Sequence, residues 1–169
     1  MIQVLGENCI VKMTSAKGVI TYSSLTDWAS IGLSIIFERA SQNKQRIYLS
    51  GQGGDEIYSD YGHNGIPFKN ISQFGGLFPN DLNTIFPWNN FYTGSQEAFI
   101  GKEETVASIY GIEARYPFLD KYAVQEFLWL SVHLKNAYYK APLHILMEKY
   151  KYPFCQNEKI GFKVKKLAL

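Results

Sequence analysis

A short apolar run, Ile47-Tyr48-Leu49 behind Arg46, breaks into Ser50-Gly51-Gln52-Gly53-Gly54-Asp55-Glu56. No other segment constrains the fold as much. The apolar run reads as a buried strand. Three glycines within four positions bend the backbone sharply and leave little side-chain bulk. An acidic pair then stands where a helix can begin. Two readings fit. Backbone N–H groups of a glycine-rich turn approach an anion closely, and the carboxylates supply oxygens for a metal, which together make a magnesium-phosphate site. Alternatively, the segment is a tight strand-to-helix turn whose acids complement the helix dipole.

The chain has 169 residues, enough for one domain with a real core. A net charge of +2 is too small to argue for nucleic acid. No apolar run reaches the roughly 20 residues of a membrane helix, and the first residues lack the basic start and long apolar run of a signal peptide. Cys9 and Cys155 are too few and too isolated for a disulfide framework or a zinc site, so free thiols in a reducing cytoplasm are the expectation. Many of the 12 Tyr and 11 Phe fall between residues 58 and 118, which points to a core and cleft lined by rings, with ordinary core packing the preferred reading for most of them.

Apolar pieces at 2–5, 9–11 and 19–22 read as short strands or a loosely structured start, and residues 1–24 form a poorly defined segment. Thr26-Asp27 is an N-cap signal, and the spacing from Trp28 to Ala40 predicts a largely buried helix that ends at Asn43. Strand 46–50, the glycine turn and a short helix over 56–61 follow. Residues 62–94 are rich in Gly, Pro and Asn and read as a functional or mobile insertion with a short helix at 80–86. Helices are predicted over 95–110, over 121–130 with Asp120 as cap, and over 140–150 with Pro142 tolerated in the first turn. The result is a largely helical chain with one clear strand, whose sheet partners come from residues 1–22 or from other polypeptide. An incomplete sheet exposes an unpaired edge, which favours association.

Two further clusters carry chemistry. Gly111-Ile112-Glu113-Ala114-Arg115-Tyr116-Pro117-Phe118-Leu119-Asp120 sets one of three arginines among apolar residues. Arg115 is either a buried ion-pair partner of Glu113 or Asp120, or a clamp for a substrate carboxylate. Lys140 opens a helix against the dipole preference, a hint that it neutralises a developing oxyanion or pyrophosphate charge. Lys135, Lys149, Lys151, Lys159 and Lys163 read as a solvated basic face. His63, His133 and His144 lack metal-ligand spacing, and there is no nucleophile elbow.

In order, Ser-Gly-Gln-Gly-Gly-Asp-Glu (50–56), Gly-Ile-Glu-Ala-Arg-Tyr-Pro-Phe-Leu-Asp (111–120), and Lys135 and Lys140 with Lys159-Ile160-Gly161-Phe162 resemble the synthetase domain of the asparagine synthetase family. That family is similar in fold to beta-lactam synthetase and lasso-peptide cyclases. The likeness spans about 25–164. It implies an α/β ATP-pyrophosphatase fold of the adenine-nucleotide alpha-hydrolase type. It also implies ATP-dependent amide formation, in which a carboxylate, aspartate by default, is adenylated and then attacked by ammonia or an amine. By resemblance, Asp55 holds Mg2+, and Ser50, Gly51, Gly53, Gly54 and Glu56 shape the ATP loop. Gln52 orients the amine, and Lys140 stabilises the adenylation and amide-forming transition states. Glu113, Arg115 and Asp120 give structural support. The family's Ser-Gly-Gly-x-Asp-Ser phosphate loop occurs nowhere in the chain, and the glutaminase cysteine after the initiator Met is replaced by Ile2. The chain is therefore expected to match the C-terminal part of a synthetase domain. Its partners would be a complementary N-terminal half or a glutaminase subunit. Alternatives are a non-catalytic remnant, a binding module or a truncated gene product.

Overall fold

The computed structural model describes residues 10–15, 18–23 and 27–155. In chain order the elements are β1 (Ile10–Ser15), β2 (Gly18–Ser23), α1 (Trp28–Gln42), β3 (Ile47–Leu49), α2 (Gly54–Tyr58), β4 (Gly62–His63) and β5 (Ile66–Pro67). Then come α3 (Asn89–Tyr92), α4 (Gly94–Ile109), β6 (Glu113–Arg115), α5 (Lys121–Trp129), α6 (Val132–Asn136) and α7 (Ala141–Lys149). Single 3-10 turns lie at Leu82–Thr84 and Pro117–Leu119. This is an α/β fold with a large helical share and a small parallel sheet. The expected features at Ile2–Leu5, Cys9, Lys159, Gly161 and Lys163 lie outside the described residues. The chain divides into two compact units that interleave in sequence: 1–50 with 97–115 and 160–169, and 51–96 with 116–159.

In the first unit, β1 and β2 form an antiparallel pair with Met13 opposite Ile20. Asp27 starts α1 as expected: its carboxylate accepts from the Ala29 N–H at 3.2 Å and the Ser30 hydroxyl at 2.7 Å. Asn43 closes the helix by donating its N–H to Arg39 O. The expected buried face is shifted, however. Ser30, Ser34, Phe37 and Ala40 are buried, while Ile31, Leu33, Ile35 and Ile36 are half-buried. The Ser34 and Tyr110 hydroxyls hydrogen-bond to each other. Ala98, Val106, Ala107, Ile112 and Ala114 are also buried.

β3 pairs in parallel with β6, with Ile47 opposite Glu113 and Leu49 opposite Arg115. The sheet partner thus comes from the second sequence cluster rather than from residues 1–22. The buried-strand expectation needs correction. Strand alternation turns Tyr48 inward, its ring edge-on to Phe37 at 5.0 Å. Ile47 and Leu49 remain 60% and 68% exposed on the opposite face.

The second unit is built around Ile57, Tyr58, Phe78, Trp88 and Phe127, with Phe74, Phe91, Phe118 and Leu119 packed against them. Edge-to-face contacts knit the rings, among them Phe78–Phe127 at 5.3 Å and Phe78–Trp88 at 5.8 Å. Core packing therefore explains these rings. The insertion 62–94 is a large part of this core rather than an appendage to it. Its anchor is Asp60, fully buried, whose carboxylate gathers the Gln73 N–H at 2.7 Å, the Phe74 N–H at 2.9 Å, the Ser72 hydroxyl at 3.1 Å and Asn90 Nδ2 at 2.9 Å. Asn90 Nδ2 also donates to Ile71 O at 2.8 Å. Side-chain acceptors and donors thus do for this loop what a ladder does for a sheet.

Candidate functional site

The glycine turn places its residues in different settings. Ser50 lies in the first unit, where its N–H donates to Arg115 O at 2.8 Å and its hydroxyl to Glu103 Oε2 at 2.9 Å. Gly51–Glu56 belong to the second unit. Gly53 has φ 91, and a Cβ there would lie 2.7 Å from Leu119 Cγ, so both conformation and space demand glycine. A Cβ on Gly54 would sit 3.4 Å from the Phe118 ring and 3.7 Å from Lys140 Nζ. The Tyr58 hydroxyl donates to Phe118 O at 3.3 Å. The glycine turn and Phe118-Leu119 of the second cluster are therefore packed together. Gln52 is half-buried at the turn and Gly51 is exposed.

The two acids diverge. Glu56 is buried, and its Oε2 accepts the Gly53 N–H at 2.9 Å while Oε1 accepts the Tyr61 hydroxyl. Its backbone carbonyl takes the Trp88 indole N–H at 2.8 Å. Glu56 thus shapes the turn from within. Asp55 turns outward. Its Oδ1 accepts the Tyr139 hydroxyl at 2.6 Å and lies 3.0 Å from Lys140 Nζ, with 22% of the Asp55 side chain and 21% of Lys140 exposed. Lys140 has φ 51 and ψ 51 and immediately precedes α7. The cation that sequence placed at an unfavourable helix start is thus neutralised by Asp55. Burial first, then the Asp55 charge and hydrogen bond, push the Tyr139 hydroxyl pKa up, and burial with Glu56 does the same for Tyr61. Both stay protonated donors.

Arg115 pairs with Glu113 at 2.7 Å, but on an exposed face (58% and 60%) rather than buried, because both point to the open side of the two-stranded sheet. Asp120 caps α5, accepting from the Tyr122 and Ala123 N–H groups at 2.9 and 3.2 Å. Lys135 departs from the basic-face expectation. It is buried, donates to Leu128 O and Leu130 O, and so closes the carbonyl end of α5. Burial lowers its pKa. Lys149 and Lys151 are exposed as expected. Sequence reasoning missed Tyr139, Tyr61 and Glu103. Only Tyr139 carried a signal, its adjacency to Lys140.

Among the described residues no group of three His, Cys, Asp or Glu could hold a metal. Asp55 is a single outward carboxylate. That fits Mg2+ only in the manner in which this ion uses one or two carboxylates and takes its remaining oxygens from substrate phosphates and water. Comparison with known proteins found no match: no family profile, no curated protein and no solved structure matches the chain.

Proposed function

We propose that this chain carries one wall of the acyl-adenylate site of an ATP-dependent amide ligase resembling asparagine synthetase. The supporting observation is the convergence of Lys140 and Tyr139 on Asp55 Oδ1, beside a glycine turn packed on Phe118-Leu119. Three sequence clusters far apart in the chain meet there. Lys140 supplies the positive charge toward a leaving pyrophosphate or an oxyanion. Gln52 orients the attacking amine by hydrogen bonding, since an amide side chain has no basicity to offer. Asp55 is the residue to hold Mg2+, which supplies charge neutralisation between ATP phosphates. The reading requires a phosphate loop contributed by further polypeptide, because Ser-Gly-Gly-x-Asp-Ser is not in this sequence. ATP–pyrophosphate exchange with aspartate, run on the chain alone and with a candidate N-terminal half, tests it. Exchange restored by the second polypeptide supports the reading, and robust exchange by the chain alone removes the need for a partner.

A second reading, a non-catalytic binding module of the same descent, is favoured by two observations. Asp55 already carries a lysine, and the described residues lack a metal-holding group of three. Calorimetry with Mg-ATP and the N-terminal half separates the two, since tight assembly with restored turnover refutes the module.

A further inference from the structure

The inner side of α7 carries Ala141 and His144, and its outer side carries Ile145 and Leu146. This is the reverse of an ordinary amphipathic helix. The inward histidine has partners of its own. Its ring stacks on Tyr138 at 4.2 Å, Phe154 meets it edge-on at 5.1 Å, and its Nε2 lies 3.3 Å from Glu148 Oε1. The outward aliphatics continue into Lys149-Tyr150-Lys151-Tyr152. Ile145, Leu146, Tyr150 and Tyr152 are 45%, 47%, 57% and 60% exposed, and both lysines are exposed. The six residues form one patch. Ile145 and Lys149, like Leu146 and Tyr150, stand one helical turn apart. The helix then ends in a Schellman cap, with the Lys151 N–H on Glu148 O at 3.1 Å and the Tyr152 N–H on Met147 O at 2.9 Å. That cap folds Tyr152 back until its ring lies 6.4 Å from the Tyr150 ring, which is in turn 5.3 Å from Lys149 Nζ. The left-handed position of the cap, ordinarily glycine, is held by Lys151 at φ 54.

The composition of the patch selects its occupant. Two aliphatics beside two tyrosines and two lysines match the layers of a bilayer interface. Aliphatic side chains enter the acyl boundary, tyrosines sit at headgroup depth, and lysines meet anionic headgroups. A nucleic-acid strand uses lysines and stacking rings but leaves Ile145 and Leu146 in water. A stable protein–protein interface takes roughly 20–30 residues a side, far more than this patch offers. We propose that the outer face of α7, with the Lys149–Tyr152 turn, is a peripheral docking surface for a lipid bilayer bearing anionic headgroups. The ligase reading plays no part in this surface, which lies toward the end of α7 away from Lys140.

Flotation of the full chain with lipid vesicles tests it. Vesicles of phosphatidylcholine mixed with phosphatidylserine are expected to carry the chain, and vesicles of phosphatidylcholine alone to leave most of it behind. Added salt is expected to release it by screening. Lys149→Gln and Lys151→Gly are each expected to lower the partition coefficient about fivefold, the effect of one basic residue at an anionic surface. Lys151→Gly also relieves the left-handed backbone, so its melting temperature is expected to stay level or rise, which separates lost binding from lost folding. Ile145→Ser combined with Leu146→Ser is expected to weaken binding about tenfold or more, with melting temperature little changed because neither side chain is in the core. Absence of binding to the phosphatidylserine vesicles overturns the proposal. Equal binding to both kinds of vesicle, or binding that the serine pair leaves unchanged, overturns it as well. Without vesicle binding, a single-stranded oligonucleotide held through Lys149 and Lys151 assigns the patch to nucleic acid. A sedimenting dimer that the serine pair dissociates, again without vesicle binding, assigns it to a second copy of the chain.

Discussion

At the residue scale, function and fold compete for the same few atoms. Gly53 is required twice, by a φ of 91 and by the approach of Leu119. Gly53→Ala is expected to cost about 2 kcal/mol or more, from left-handed strain plus the displaced leucine, read as a lowered urea midpoint at unchanged m. Asp60 is the clearest structural carboxylate, with four donors on a fully buried side chain. Asp60→Ala leaves those donors unsatisfied and is expected to destabilise by about 3 kcal/mol or more, with loss of near-ultraviolet signal from the ring core. Asp55 and Lys140 carry little of that burden. On the ligase reading, Asp55→Asn and Lys140→Ala each lower turnover by about 100-fold, the effect of one oriented charge, with melting temperature little changed. Near-normal turnover in either variant removes that residue from the chemistry. Adjacent acids with opposite fates, Asp55 outward and Glu56 inward, could not be told apart in the sequence. Which carboxylate faces solvent depends on Tyr61, five residues on, and on where Trp88, Tyr139 and Lys140 arrive from distant positions.

At the scale of elements, helix ends are where side chains act on stability. Burial raises the pKa of Asp27, but hydrogen bonds from Ser30, Lys102 and the Ala29 N–H, with the Lys102 charge at 2.9 Å, outweigh it and hold the carboxyl below its usual 3.8. A depressed carboxylate stabilises the fold above its unfolded pKa and loses that contribution as pH falls through the folded value. Unfolding measured from pH 6 down to pH 2 is therefore expected to show a loss below about pH 4 that Asp27→Ala lacks. The same variant is expected to be about 1–2 kcal/mol less stable at neutral pH for want of the cap. At the other kind of end, Lys135 satisfies the Leu128 and Leu130 carbonyls of α5. Lys135→Ala is expected to cost about 1–3 kcal/mol by orphaning buried acceptors, with hydrogen exchange fastest in the last turn of α5. The caps at Asp27 and Asp120 were legible because capping is a local rule. Lys135 was not, because its carbonyl partners become neighbours only once α5 has ended at Trp129 and α6 has turned back.

At the scale of the whole molecule, two interleaved units share one chain, and the parallel pair β3–β6 joins segments that are more than sixty positions apart. Parallel sheets are ordinarily covered on both faces, whereas Ile47, Leu49, Glu113 and Arg115 here share an exposed one. If the proposed activity holds, adding a polypeptide that bears the phosphate loop is expected to restore ATP–pyrophosphate exchange and to protect β3 amides from hydrogen exchange. Restored exchange without new protection there would place the second polypeptide elsewhere. The sequence by itself determined the helix starts at Asp27 and Asp120, the strand before the glycine turn, and the positions of the chemistry-bearing clusters. These rest on local rules: capping geometry, periodicity and the conformational freedom of glycine. Only the tertiary structure decided that Glu113–Arg115 is the partner strand, that insertion 62–94 is core, that Lys135 is buried, and that Tyr139 joins Lys140 on Asp55. A three-residue Glu-Ala-Arg strand has no periodicity to read, and a buried polar group is identified by partners that the chain brings from far away.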